Sequence, residues 1–198
     1  SPPGPRSPMD LATPPEPDWS AASARLLVAC EAAVDRFAKE HPAERCSFLA
    51  FAVGECFGEV VLAFDTVANG MARARRHEAM AVRTRTRTLS TEYGWRNAGF
   101  HLNRTPIAAH APSTSEFAFA DFARVHFPDW EPYFLEHRRP GEPDPTGKVA
   151  MLLQGVANSV VQRGRLSRLN LASPCYVGGE FARDDLGLVV LRAVNWPA

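Results

Sequence analysis

The chain is 198 residues long, 45% hydrophobic and 22% charged, with 12 Phe, 4 Trp and 3 Tyr. That is about one domain's worth at roughly 100–200 residues per domain, and the composition excludes the disordered, collagen-like and disulfide-scaffold classes. Lysine plus arginine (22) balances aspartate plus glutamate (22), so no global field draws the chain to nucleic acid or an anionic membrane, and no run approaches the roughly 18 apolar residues of a membrane helix.

The lead from Ser1 to Pro17 carries seven of the 17 prolines and no apolar export core. It predicts a disordered arm over 1–17, with 1–8 left from an expression vector ahead of Met9 as the natural start, and a single domain over 18–198. Over Ser20 to Glu40, Leu26, Leu27, Cys30, Val34 and Phe37 recur at spacings of three and four, which predicts an amphipathic helix capped by Asp18 or Ser20 and stopped near Pro42. Cys46 to Val53 and Glu59 to Thr66 are dense in Phe, Val and Leu and are joined by Gly54-Glu55-Cys56-Phe57-Gly58. They read as a β-hairpin with both faces covered.

Gly70 to Val82 has helical composition, and Arg83 to Thr88 alternates arginine with threonine, which puts the arginines on one face if the run is extended. Glu92 to Pro112 suggests short strands and loops. Phe117, Phe119, Phe122, Val125 and Phe127 are expected to form a short aromatic helix or turn before Pro128, and Pro140 to Pro145 a linker or surface loop. Thr146 to Arg163 reads as a second amphipathic helix, with Val149, Leu152, Leu153, Val156 and Val160 on one stripe; Gly155 within it suggests close packing. Leu186 to Val194 reads as a final strand. The fold class is therefore α+β, a single domain whose antiparallel sheet, with a central hairpin, is covered by two or more helices.

Catalytic signals are near misses. Gly54-Glu55-Cys56-Phe57-Gly58 fits the G-x-C-x-G form of a nucleophile elbow, but that turn must lead into a helix, and Glu59 to Phe64 predicts strand. His77-Glu78 opens like H-E-x-x-H, yet residue 81 is alanine. His101, His110, His126 and His137 have no standard metal-site spacing, Gly141 and Gly147-Lys148 fail the P-loop, and no dinucleotide fingerprint exists, so no catalytic residue, metal or cofactor is assigned. Asp65, Asp121, Asp184 and Asp185 are uninformative without a fold. Cys30, Cys46, Cys56 and Cys175 show no CxxC or zinc-like spacing, which predicts free thiols and a cytoplasmic protein.

One charge asymmetry stands out: Arg73, Arg75, Arg76, Arg83, Arg85 and Arg87 against Glu78 alone, with Tyr93 and Trp95 nearby. In a chain with 20 arginines and two lysines a solvated face is the plain explanation. The sharper one is a protein-binding surface with Arg83, Arg85, Arg87, Trp95 and Trp130 as anchors; zero net charge places nucleic acid behind it.

The order of elements, with His41 to Phe51 (HPAERCSFLAF), Glu59 to Thr66 (EVVLAFDT), a tryptophan-bearing middle, a long helix and a last strand, resembles a group of small bacterial proteins often encoded beside polymorphic toxins, where immunity proteins are found. The resemblance covers most of residues 20 to 194 and rests on architecture; the arginine-threonine run and the Pro140 to Pro145 loop depart from it. It implies a non-enzymatic protein that binds a cognate partner, possibly a toxin, by occluding its surface. The alternative is a small cysteine- or histidine-dependent hydrolase or transferase.

Overall fold

A computed structural model of the chain describes residues 14–54, 58–76, 113–137, 146–181 and 188–195. The first helix, α1 (Trp19–Glu40), begins where the Asp18 carboxylate accepts the Ala21 N–H at 2.9 Å, satisfying one of the donors that a helix start leaves free. It ends at His41, one residue before Pro42, which disfavours helical backbone in the residue preceding it. Leu26, Cys30, Val34 and Phe37 form its buried stripe, and Ala22 and Ala33 let the neighbouring elements approach. Ahead of α1, within the stretch expected as an arm, Pro17 is buried, and Glu16 accepts from Trp19 Nε1 at 2.7 Å and from Lys148 Nζ.

The hairpin is β1 (Cys46–Gly54) and β2 (Glu59–Thr66), antiparallel from Cys46 opposite Thr66 to Gly54 opposite Glu59. Gly58 closes it at φ +58°, and a Cβ there would lie 2.2 Å from the Phe127 carbonyl oxygen, so both the backbone angle and the space require glycine. Helix α2 follows over 67–76. Beyond a 3-10 turn, Thr114–Glu116, come β3 (Phe119–His126), α3 (Trp130–Glu136), α4 (Thr146–Gln162), a second 3-10 turn, Arg165–Arg168, β4 (Leu171–Phe181) and β5 (Leu188–Val194).

The five strands lie in the order β3-β2-β1-β4-β5. Three ladders are antiparallel, but β1 and β4 run parallel, so the expected antiparallel sheet is a mixed one within the α+β class. A parallel pair needs a crossover, which the chain supplies through β3, α3 and α4. β1 in the middle is apolar on both faces, which is why it reads as a continuous hydrophobic run.

Two corrections to the sequence reading concern strands. The stretch expected as a short aromatic helix or turn holds β3, Phe119–His126, with Phe117 and Phe127 just outside it. The β2–β3 register shifts between Leu62, opposite Ala123, and Phe64, opposite Phe119, and the two extra residues on β3 let Phe119 and Phe122, three apart, both pack on Phe37. A bulge thus imitates helical spacing. β4 has no counterpart among the expected elements; it contains Pro174 and Gly178-Gly179, residue types that ordinarily interrupt or weaken a strand. Pro174 falls where the β1–β4 register jumps, from Cys46 opposite Leu171 to Phe48 opposite Tyr176. Gly178 is required by space: a Cβ there would meet the Phe48 ring at 2.6 Å and the Val189 carbonyl oxygen at 2.7 Å.

The main core lies between one face of the sheet and helices α1 and α4. Lys148 bonds Glu16 and Arg163 bonds Glu31, both across 132 residues, so the two helices run parallel and side by side. Each fully buried Phe, Leu or Val in this layer contributes roughly 1.5–3 kcal/mol. Gly155 on α4 is not a close-packing site: nothing lies within 4 Å of the Cβ it lacks. The opposite face of the sheet carries a smaller cluster of Phe48, Ala50, Ala63 and Phe117.

Candidate functional site

Of the anchors named from sequence, Arg83, Arg85, Arg87 and Trp95 lie outside the described residues. Trp130 is a correction. It has no exposed surface, stacks on Phe127 at 4.3 Å and packs against Trp19 at 5.7 Å, so it holds α3 to the start of α1 and presents nothing to a partner. Among the described residues its indole N–H has no hydrogen-bond partner.

Cys56, His77, His101, His110, Asp184 and Asp185 also lie outside the described residues. The elbow geometry that Cys56 would need is absent all the same, because the chain leaves Gly58 directly into β2. His137 caps α3, with Nδ1 2.8 Å from the Tyr133 carbonyl oxygen. Among the described residues no three His, Cys, Asp or Glu side chains come together as a metal site. Cys30, Cys46 and Cys175 are buried free thiols. Burial pushes the Cys30 thiol up to about 12, and a hydrogen bond with Cys175, then burial, holds Cys46 well above the usual thiol range. Such thiols are poor nucleophiles at neutral pH.

The polar side chains that do converge sit on the small-cluster face. Asp65, at the end of β2, accepts from Arg73 Nη2 at 2.7 Å, Asn69 Nδ2 at 2.7 Å and the Ala118 N–H at 3.2 Å. Arg73 and Asn69 also donate to the Glu116 carbonyl oxygen, at 3.1 and 2.8 Å. Glu180 on β4 accepts from the Thr114 N–H at 2.7 Å and from its hydroxyl. This network fastens residues 113–118 to α2 and the sheet. Its two carboxylates, Asp65 and Glu180, accept from donors of the chain itself. Arg73 belongs to the basic run by sequence but is 3% exposed, whereas Arg75 and Arg76 are exposed. A cavity of about 270 Å³ beside it is lined mainly by Phe48, Met71, Pro174 and Tyr176.

The surface feature that sequence reasoning missed is at the far side of the sheet. β5 is the terminal strand, and six of its seven residues are apolar. Val189 is 38% and Val190 46% exposed. Gln154 and Asn158 of α4 bond the Leu191 carbonyl oxygen and Arg192 Nε, and Met151, 78% exposed, lies one turn earlier on the same helical stripe. Successive strand residues point to opposite faces, so Val189 and Val190 carry apolar surface around the edge. The signal in sequence was the run LVVLRAV; its place at the edge is a matter of topology.

Among the described residues no helix is long and apolar enough to cross a membrane. The chain matches no protein-family model, no curated protein and no solved structure.

Proposed function

We propose that the chain is a protein-binding module, and in its finer form an immunity-type protein that neutralises a cognate bacterial toxin in the cytoplasm by covering its surface. The observation that carries this reading is the apolar outer edge of β5 flanked by Met151. An unpaired strand edge offers a row of backbone donors and acceptors, and apolar side chains on both faces add area that water leaves at a gain when a partner is seated. The finer form rests on the resemblance to proteins encoded beside toxins. The polar network on the other face supports binding over catalysis, since its groups are consumed in holding residues 113–118.

The test is affinity capture from native lysate of the source cells with wild-type chain, Val190→Lys and Met151→Lys. The wild type is expected to retain a stable protein partner that the Val190→Lys chain loses and the Met151→Lys chain holds less well. A wild type that retains none, or variants that retain the same partner equally, would sink the reading. A captured partner whose toxicity is unaffected by the chain would remove the immunity form alone.

A further inference from the structure

One buried atom of the network that fastens residues 113–118 takes no part in it. Arg73 is 3% exposed; its Nη2 donates to Asp65 and its Nη1 to the Glu116 carbonyl oxygen. Its Nε has no hydrogen-bond partner among the described residues, with the Glu116 carboxylate 4.0 Å away. Buried donors are nearly always paired, so an idle one points to a group that the chain does not itself supply. Arg73 lines the cavity of about 270 Å³ between α2 and the sheet. That space has a cause in the β1–β4 ladder: from Cys46 to Phe48 β1 advances two residues, while β4 advances five, from Leu171 to Tyr176. The three extra residues bow out of the ladder, and Ala172 and Pro174 of this excursion form one wall of the cavity. Phe48 and Tyr176, stacked with ring centres 5.7 Å apart, form another, and Met71, 41% exposed, stands where the cavity meets solvent.

We propose that this cavity is a binding site for an uncharged, ring-bearing small molecule whose carbonyl, or another neutral acceptor, takes the Arg73 Nε–H. Size, shape and charge together set that class. An apolar cavity of about 150 Å³ takes a benzene, so this one takes roughly ten non-hydrogen atoms. The Phe48 and Tyr176 rings offer aromatic surface on which a flat ring packs. Arg73 is already balanced by Asp65, and an anion brought to Nε would face the Glu116 carboxylate as well. An ammonium ion has no lone pair with which to accept from Nε. A neutral acceptor pairs this last donor without burying a further charge. The cavity and the outer edge of β5 share no residue, so the site stands or falls apart from the protein-binding reading.

Titration of the full chain, followed at the methyl resonance of Met71 and the amide resonances of Ala172 and Tyr176, tests this. The probe para-methylacetophenone is expected to shift them saturably. Two probes of the same size, para-cymene with a methyl group in place of the carbonyl oxygen and para-toluate with a carboxylate, are expected to bind about tenfold more weakly. Ala172→Leu puts added methyl groups into the cavity and should abolish binding while the unfolding midpoint does not fall. The comparison of the three probes uses the wild type alone, so it does not depend on how that variant folds. No saturable shift with para-methylacetophenone would leave Nε to solvent and overturn the site. Equal affinity for para-cymene would remove Nε as the recognising donor, and tighter binding of para-toluate would end the uncharged class; either result overturns the proposal. So does binding that persists unchanged in a folded Ala172→Leu chain.

Discussion

At one edge of the sheet, β3 turns Asp121, Arg124 and His126 to solvent, and Arg124 bridges Asp121 at 2.6 Å and Glu59 at 2.7 Å. Arg36 reaches over from α1 to the Phe122 carbonyl and lies 4.1 Å from the centre of its ring. At the other edge, β5 shows valines on both faces and a single arginine. Charged side chains are a common means of keeping a strand edge from pairing, and here only one edge has them in number. The two sides are also held differently: residues 113–118, leading into β3, are tied down by side-chain ion pairs and hydrogen bonds, while β5 is held by its ladder with β4, two side-chain hydrogen bonds from α4 and the packing of Leu188, Leu191 and Val194.

Removing one partner of the buried Asp65–Arg73 pair breaks the β3 side hardest. Asp65→Ala leaves Arg73, 3% exposed, with only the Glu116 carboxylate at 4.0 Å, and frees the Asn69 and Ala118 donors. The expected loss is about 3–5 kcal/mol in urea unfolding, with hydrogen-exchange protection falling first over 113–126. Replacing both partners together, Asp65→Leu with Arg73→Met, should recover most of that loss. A single variant as stable as wild type would show that the network is not what holds this side.

The β5 side is sharpened by Gly178→Ala. The added methyl meets the Phe48 ring and the Val189 carbonyl, so β4 and β5 must shift, at about 1–3 kcal/mol. Cys175 pairs with Val194 in the same ladder and is buried, so its alkylation rate in the native protein should rise in this variant while that of Cys30, on the buried face of α1, changes little. Equal acceleration of both thiols would mean that the whole molecule opens as one unit.

Much of this architecture was legible in the sequence, and the illegible parts have identifiable causes. The hairpin announced itself through two Phe-Val-Leu runs with glycines at the joint, and α1 and α4 through spacings of three and four. β3 was hidden by its bulge, which put Phe119 and Phe122 on one face at a helical interval. β4 was hidden by Pro174, which sits in a gap of the ladder, and by Gly178, which is there to admit the Phe48 ring. For the site, aromatic character misled: Trp130 looked like an anchor and is core. β5 was read as a strand, but whether a strand is central or terminal depends on pairings between distant segments, which no local pattern encodes. Arg73 stood in a basic run with Arg75 and Arg76, and only the fold separates the arginine that is buried from those that are not.

The smallest expected effect on stability carries the most information about the edges. Asp121→Val combined with Arg124→Val removes an exposed charge pair, and exposed pairs contribute little, so the unfolding midpoint should stay where it is. What should change is association, because the charges that keep the β3 edge from pairing are gone and apolar side chains take their place. Light scattering should therefore show the double variant forming larger assemblies than the wild type at the same concentration, and adding Val190→Lys to it should reduce them in part. If the double variant keeps the wild-type mass, charge is not what separates the two edges, and the bulge between Phe119 and Ala123 has to be doing the blunting on the β3 side.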